Sequence, residues 1–181
     1  MKKLLFVLCL IPVLLFCGCV EKQDKVLKML TEETAAQINE DTNLQLKFLE
    51  NVGGKDLSFL VPQDGWFGAR GYLNSGYEEG DIYYVQYVIT AYPDYADGGS
   101  VVTEIVCTDP NITFFGGYTV NDSEQLIEYL SNDGYAVEDG NSIGTLVRAK
   151  KGKITISFFI GDGYNEVMFM YEVGNRKGIV F

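Results

Sequence analysis

Between Lys153 and Ile160 the chain reads KITISFFI, with Ile154, Ile156, Phe158 and Ile160 at every second place. An apolar period of two fits a strand, whose successive side chains point to opposite faces, and does not fit a helix, whose period is 3.6. One face of such a strand is buried, so the chain must supply partner strands beside it and a cover above it. The flanking sequence offers the partners. Gly144 to Ala149 enters through Lys150-Lys151-Gly152, and Gly161-Asp162-Gly163-Tyr164-Asn165 turns the chain into Glu166 to Val173. A C-terminal β-meander is the expected result.

Similar signals recur upstream. Ile82 to Ala91, IYYVQYVITA, holds the densest run of β-branched and aromatic residues, PDYADGG supplies a long turn, and Val101 to Thr108 returns as a second strand. Leu57 to Val61 reads as a strand stopped by Pro62, Phe67 to Leu73 as a short strand, and Ile112 to Val120 as an extended segment. Thr42 to Val52 carries Leu44, Leu46, Phe48, Leu49 and Val52 at spacings that suit either element, so its type stays open. One helix is clear. Asn121 or Asp122 can cap it, Leu126, Ile127 and Leu130 form its stripe, and Asn132-Asp133-Gly134 ends it. The expected fold class is α+β, an antiparallel β-sheet of hairpins and a C-terminal meander with one clear helix packed on it. The hairpins VITAYPDYADGGSVVTEIV and ISFFIGDGYNEVMFMYEV share the order strand, Asp-Gly turn, strand, which fits a tandem repeat or the general likeness of hairpins.

The N-terminus carries a different kind of information. Lys2 and Lys3 precede a thirteen-residue apolar run from Leu4 to Phe16, ending in Cys17-Gly18-Cys19. The run is shorter than the roughly 20 residues a spanning helix needs, and Pro12 interrupts it. It reads as a signal peptide over 1–18. The small Gly18 before Cys19 is similar to the bacterial lipobox, which implies lipidation at Cys19 and a membrane anchor facing outside the cytoplasm, at the cell surface in a Gram-positive envelope. Two acyl chains suffice for stable anchoring. Residues 19–43, with Val26, Leu27, Leu30 and Ile38 at helical spacings, read as an amphipathic helix or a tether, and 44–181 as the α+β domain, divisible into 44–110 and 111–181.

Removal of 1–18 leaves twelve basic residues against 25 acidic ones, with no basic stripe, and this disfavours nucleic acid as a partner. Of four cysteines only Cys107 remains unmodified, which excludes an intrachain disulfide and suits a small buried hydrophobe. Histidine is absent, so Ser-His-Asp and Cys-His machinery and the usual zinc sites are excluded, and no GxSxG, Walker or dinucleotide fingerprint occurs. An enzyme built here would rely on carboxylates, tyrosines or bound metal. Asp94, Asp97, Asp162 and Asn165 lie in glycine-containing turns, but their order is not that of a calcium loop and Asp and Asn are favoured in turns for local reasons. No metal, cofactor or catalytic residue is therefore assigned. Aromatic residues crowd one stretch: Trp66 and Phe67 in GWFG, then Tyr72, Tyr77, Tyr83, Tyr84, Tyr87, Tyr92 and Tyr95. Strand residues of that set suit a core, whereas Trp66, Phe67, Tyr72, Tyr77 and Tyr95 are the candidate contact residues for a protein or glycan ligand.

The stretch Thr103 to Phe159, with TDPNITFFGG, NDSEQLIEYL, NDGY and KKGKITISFF, resembles uncharacterised lipoproteins of Gram-positive bacteria, particularly gut Firmicutes. Its order of helix, Gly-Tyr and β-meander is also distantly similar to the repeat of β-lactamase-inhibitor-protein-like and outer-membrane-assembly lipoprotein folds. The resemblance implies a helix packed on an antiparallel sheet and transfers no site residue. The resulting expectation is a lipid-anchored extracytoplasmic protein acting as a non-catalytic binding module. An envelope structural or assembly factor and a carboxylate-based hydrolase are the alternatives.

Overall fold

The computed structural model describes residues 23–63, 70–73, 83–91, 99–140, 145–161 and 165–174. Helix α1 covers 23–38, and eight strands follow. These are β1 (Val61–Gln63), β2 (Arg70–Leu73), β3 (Val85–Ala91), β4 (Ser100–Cys107), β5 (Ala136–Gly140), β6 (Thr145–Lys151), β7 (Ile154–Ile160) and β8 (Asn165–Tyr171). Helix α2 (Ser123–Asn132) stands between β4 and β5, entered through a 3₁₀ turn at Val120–Asp122. All pairings are antiparallel, and the strands form one sheet in the order β1-β2-β3-β4-β8-β7-β6-β5. The α+β class read from the sequence is the class of the fold.

Two four-stranded meanders thus meet at the β4–β8 ladder, where Ile105 faces Phe169 and Cys107 faces Val167. The hairpins β3–β4 and β7–β8, which share a sequence order, lie side by side at that junction. The helices do not follow this symmetry. α1 precedes the first meander but reaches over the second, with Leu30 against the β6–β7 turn at Gly152. Gly152 has φ +60, and a Cβ there would stand 3.1 Å from Leu30, so turn conformation and helix approach both favour glycine.

One face of the sheet makes the core. Tyr87, Ile105, Phe169, Ile156 and Ala149 stand in register across five strands, and all five are fully buried. Phe169 is the hub: Phe48, Phe114 and Phe115 lie 6.2, 5.1 and 6.3 Å from its ring, and tilted or edge-on aromatic pairs of this kind add to simple burial. The cover comes from α2 through Leu126 and Leu130, from the second half of α1 through Ala35 and Ile38, and from Leu44, Leu46, Phe48 and Val52. The stretch 19–43 was expected as an amphipathic helix or a tether; α1 is a helix whose last two turns belong to the core, so the packed domain begins before residue 44. A single apolar cluster runs through 44–110 and 111–181 alike.

Several local expectations are corrected. Leu57 to Leu60 bends instead of extending, and the strand begins at Val61 and includes Pro62, which is tolerated because β1 is a sheet edge and needs no donor on its outer side. The segment 42–52 is neither a helix nor a full strand. It folds over the core and pairs briefly with β4, through Leu49 N to Val102 O at 2.9 Å and Val52 N to Ser100 O at 2.8 Å. Ile112 to Val120 is a tight turn with a Phe114–Tyr118 bridge, in which Phe115 adopts φ 50 and Gly116 and Gly117 follow at positive φ. Asp122, one of the two expected caps, is the N-cap residue of α2, but its side chain makes no cap bond to that helix. The side-chain cap belongs to the preceding 3₁₀ turn, where the Thr119 hydroxyl accepts from Asn121 N and the Asp122 carboxylate accepts from Thr119 N at 2.9 Å. Strand β5, rich in acids and unmarked by apolar alternation, was not foreseen. As the other sheet edge it protects the ladder with Glu138 and Asp139.

Candidate functional site

The reverse face of the sheet has a different composition. Across β3, β4, β8, β7, β6 and β5 one register row reads Gln86, Val106, Met168, Ser157, Arg148 and Glu138, and the next reads Val88, Glu104, Met170, Thr155, Lys150 and Ala136. The centre of this face is apolar and its β5–β6 flank is charged. Val106 is only 5 % exposed yet stands outside the core cluster, and Met168 and Met170 are half-buried beside it.

Glu104 owes its place here to a β-bulge. Pairing passes from Val88 with Glu104 to Ile89 with Val102, so Thr103 is the extra residue on β4. The bulge lets Val102 and Ile105 both enter the core and turns Glu104 to the reverse side. The Thr103 and Thr90 hydroxyls, 2.7 Å apart, satisfy one another at the irregularity. Directly across from Glu104 stand Val88 and Met170. Its carboxyl makes no hydrogen bond or ion pair among the described residues, and burial alone holds its pKa above the usual carboxylate value.

A second carboxyl lies on the same face. Glu166 on β8 is also raised, chiefly by burial, with the opposing effect of the Tyr84 hydroxyl that donates to it at 3.3 Å. Met170 is the partner of Glu104, so Glu166 lies two same-face positions further along β8. At ~3.4 Å per residue the two Cα atoms are about 14 Å apart. Val106 and Met168 occupy the interval. The arrangement is an apolar strip with a carboxylate at each end, both destabilised in their charged form by the lack of water.

The core side offers no comparable chemistry. Cys107 is fully buried, donates to the Asp109 carbonyl at 3.6 Å, and has its thiol pKa pushed up to about 12 by burial, so it packs as an inert hydrophobe. A surface depression of about 360 Å³ between α1 and the 47–50 turn is lined by Ala36, Asn39, Lys47 and Phe48. Its central amide is already engaged with both backbone groups of Phe48, at 2.9 Å each, and so serves the local fold. Among the described residues no group of three Cys, Asp or Glu side chains is arranged to hold a metal ion, and no helix is long and apolar enough to cross a membrane.

Of the candidates named from sequence, Cys19, Trp66, Phe67, Tyr77 and Tyr95 lie outside the described residues. Tyr72 is in β2, in register with Tyr87. Tyr87 itself is fully buried in the core and Tyr83 is half exposed, so the aromatic stretch does not form one continuous surface among the described residues. Glu104, Glu166, Met168 and Met170 were not anticipated. A single acid within the apolar run SVVTEIVC was the readable sign, and NEVMFMY places Glu166, Met168 and Met170 on one parity. No protein-family model, curated protein or solved structure matches the chain.

Proposed function

We propose that the protein is a non-catalytic, lipid-anchored extracytoplasmic binding module whose ligand is a protein segment held on the reverse face of the sheet. The carrying observation is Glu104, a half-buried carboxylate without a partner among the described residues, set beside Met170 and Val88 at the end of an apolar strip. A buried charge is costly until it is paired, so a ligand bringing a cation relieves that cost and gains the strip as well. Glu166 at the far end asks for a second donor. Charge and spacing together favour an extended segment with an apolar middle and basic residues about 14 Å apart, the span of four residues in a strand. Methionines suit such a surface because their flexible side chains adapt to the partner. The address rests on Lys2 to Cys19, and the resemblance of Thr103–Phe159 to Gram-positive lipoproteins points to the same compartment.

Photocrosslinking in living cells tests this reading. With p-benzoylphenylalanine at Met168, a discrete adduct is expected that is absent when the probe sits at the exposed Glu124 of α2, and that weakens when Glu104→Gln is added. No adduct, or the same adducts from both positions, would remove the reverse face as the binding surface. A carbohydrate adduct would replace the protein ligand by a glycan.

A further inference from the structure

We propose that the first two turns of α1 lie on the membrane surface, with Val26 and Met29 inserted at the lipid boundary. The inference rests on the lipid-anchor reading of Cys19 and adds an orientation for the whole domain. At 100° per residue, Leu27, Thr31, Thr34, Ala35 and Ile38 form the stripe that faces the protein, and Met29 falls on the opposite side of the helix. Burial agrees: Thr34 and Ile38 are fully buried, whereas Met29 is 60 % and Val26 63 % exposed, the two most exposed large apolar side chains among the described residues. They stand three residues apart and so share a face.

Charge points to the same occupant. Between Lys22 and Leu30 the chain has three lysines and one acid, whereas from Thr31 onward it has nine basic and twenty-three acidic residues. Lys25 and Lys28 are exposed beside Val26 and Met29. Of the two described helices, the one with a locally cationic surface thus carries the exposed apolar pair, the composition of a helix that lies in the interface of an anionic leaflet. Position supplies the third argument. The described part of α1 begins four residues after Cys19, so a lipid at that cysteine holds this patch, and no other described part of the chain, within a few residues of the bilayer. Because the last two turns of α1 are locked into the core, contact at the first two turns fixes how the domain stands on the surface.

The test uses the full-length protein, exported with its own signal, purified and placed in vesicles of phosphatidylcholine with phosphatidylglycerol. Nitroxides are attached at Met29→Cys, at Val26→Cys and, as the aqueous control, at Glu124→Cys; the buried Cys107 is left in place. The expected result is loss of collisional access for a water-soluble nickel reagent and gain for oxygen at 26 and 29, with 124 behaving as in water. Adding Lys25→Glu and Lys28→Glu should return 29 towards the aqueous value. Equal nickel access at 29 and 124 in a lipidated protein overturns the inference. Intact mass separates the two readings. A chain without diacylglycerol at Cys19 refutes the anchor, and the same labels with excess vesicles then decide the helix surface alone, oxygen-rich signals supporting it and water-like ones overturning it.

Discussion

The two faces of the sheet are made by the same strands and differ in nearly everything else. On the covered face, Tyr87, Ile105, Phe169, Ile156 and Ala149 are all fully buried and meet two helices and the 44–52 segment. On the reverse face, the same rows carry Gln86, Val106, Met168, Ser157 and Arg148, and only Val106 of these is buried. Close packing ties each covered side chain to its neighbours, so that face specifies the fold. The reverse face is bound by the pleat only in its spacing, and it is where the chain places Glu104, an acid without a partner among the described residues. The stability of this protein and the recognition proposed for it thus fall on opposite sides of one set of backbone hydrogen bonds.

Substitutions on the two faces should separate accordingly. The largest effect is expected at the aromatic hub. Phe169→Ala removes a fully buried ring with three aromatic neighbours and should cost about 3–5 kcal/mol in urea unfolding, because the cavity cannot collapse between two helices and a sheet. A loss below ~1 kcal/mol would show the covered face to be loosely packed. Next, Gly152→Ala forces a side chain into a left-handed turn beneath Leu30, with an expected loss of roughly 1–2 kcal/mol. Thr119→Ala removes the cap that starts the turn into α2 and should cost ~1 kcal/mol, read as a lower thermal midpoint with the sheet signal intact.

The reverse face should respond weakly and, at one site, with the opposite sign. Met168→Ala is expected to lower stability by less than about 1 kcal/mol, since the side chain is only half-buried, while weakening the ligand contact proposed for this face. Glu104 gives the pH-dependent case. Its pKa in the folded state is raised above the ordinary carboxylate value, so the folded chain holds that proton more tightly than the unfolded one. The associated stability is fully present below the unfolded-state pKa and is lost as pH rises through the raised folded value. Glu104→Gln should therefore raise the melting temperature at pH ~7 and leave it unchanged below pH ~4. A lower melting temperature at neutral pH would mean that the carboxylate already has a stabilising partner, and the contrast between the faces would shrink.

How much of this was legible follows from which side chains carry a periodic signal. The alternation of Ile154, Ile156 and Phe158 fixes which side of β7 is inward, and the same parity holds in Val167, Phe169 and Tyr171 of β8. β4 gave no such signal, because the bulge at Thr103 interrupts the period and makes SVVTEIVC read as uniformly apolar. That is why the acid at Glu104, the most telling residue of the reverse face, looked like a lone exception in a strand. The tight turn at Phe114–Tyr118 was hidden for a related reason: Phe115 takes φ 50, a conformation that an aromatic residue does not advertise.

By itself the sequence determined the α+β class, the meander and helix α2, because periodicity and turn residues are local properties; the exported, anchored address is likewise proposed from the local pattern of Lys2 to Cys19 alone. Only the tertiary structure decided that α1 crosses to the far meander, that β4 and β8 join the halves, and that Glu104 and Glu166 share a face with Met168 between them. Those outcomes depend on which strands meet and where one extra residue shifts the pleat, and contacts between residues far apart in sequence leave no pattern in either segment alone.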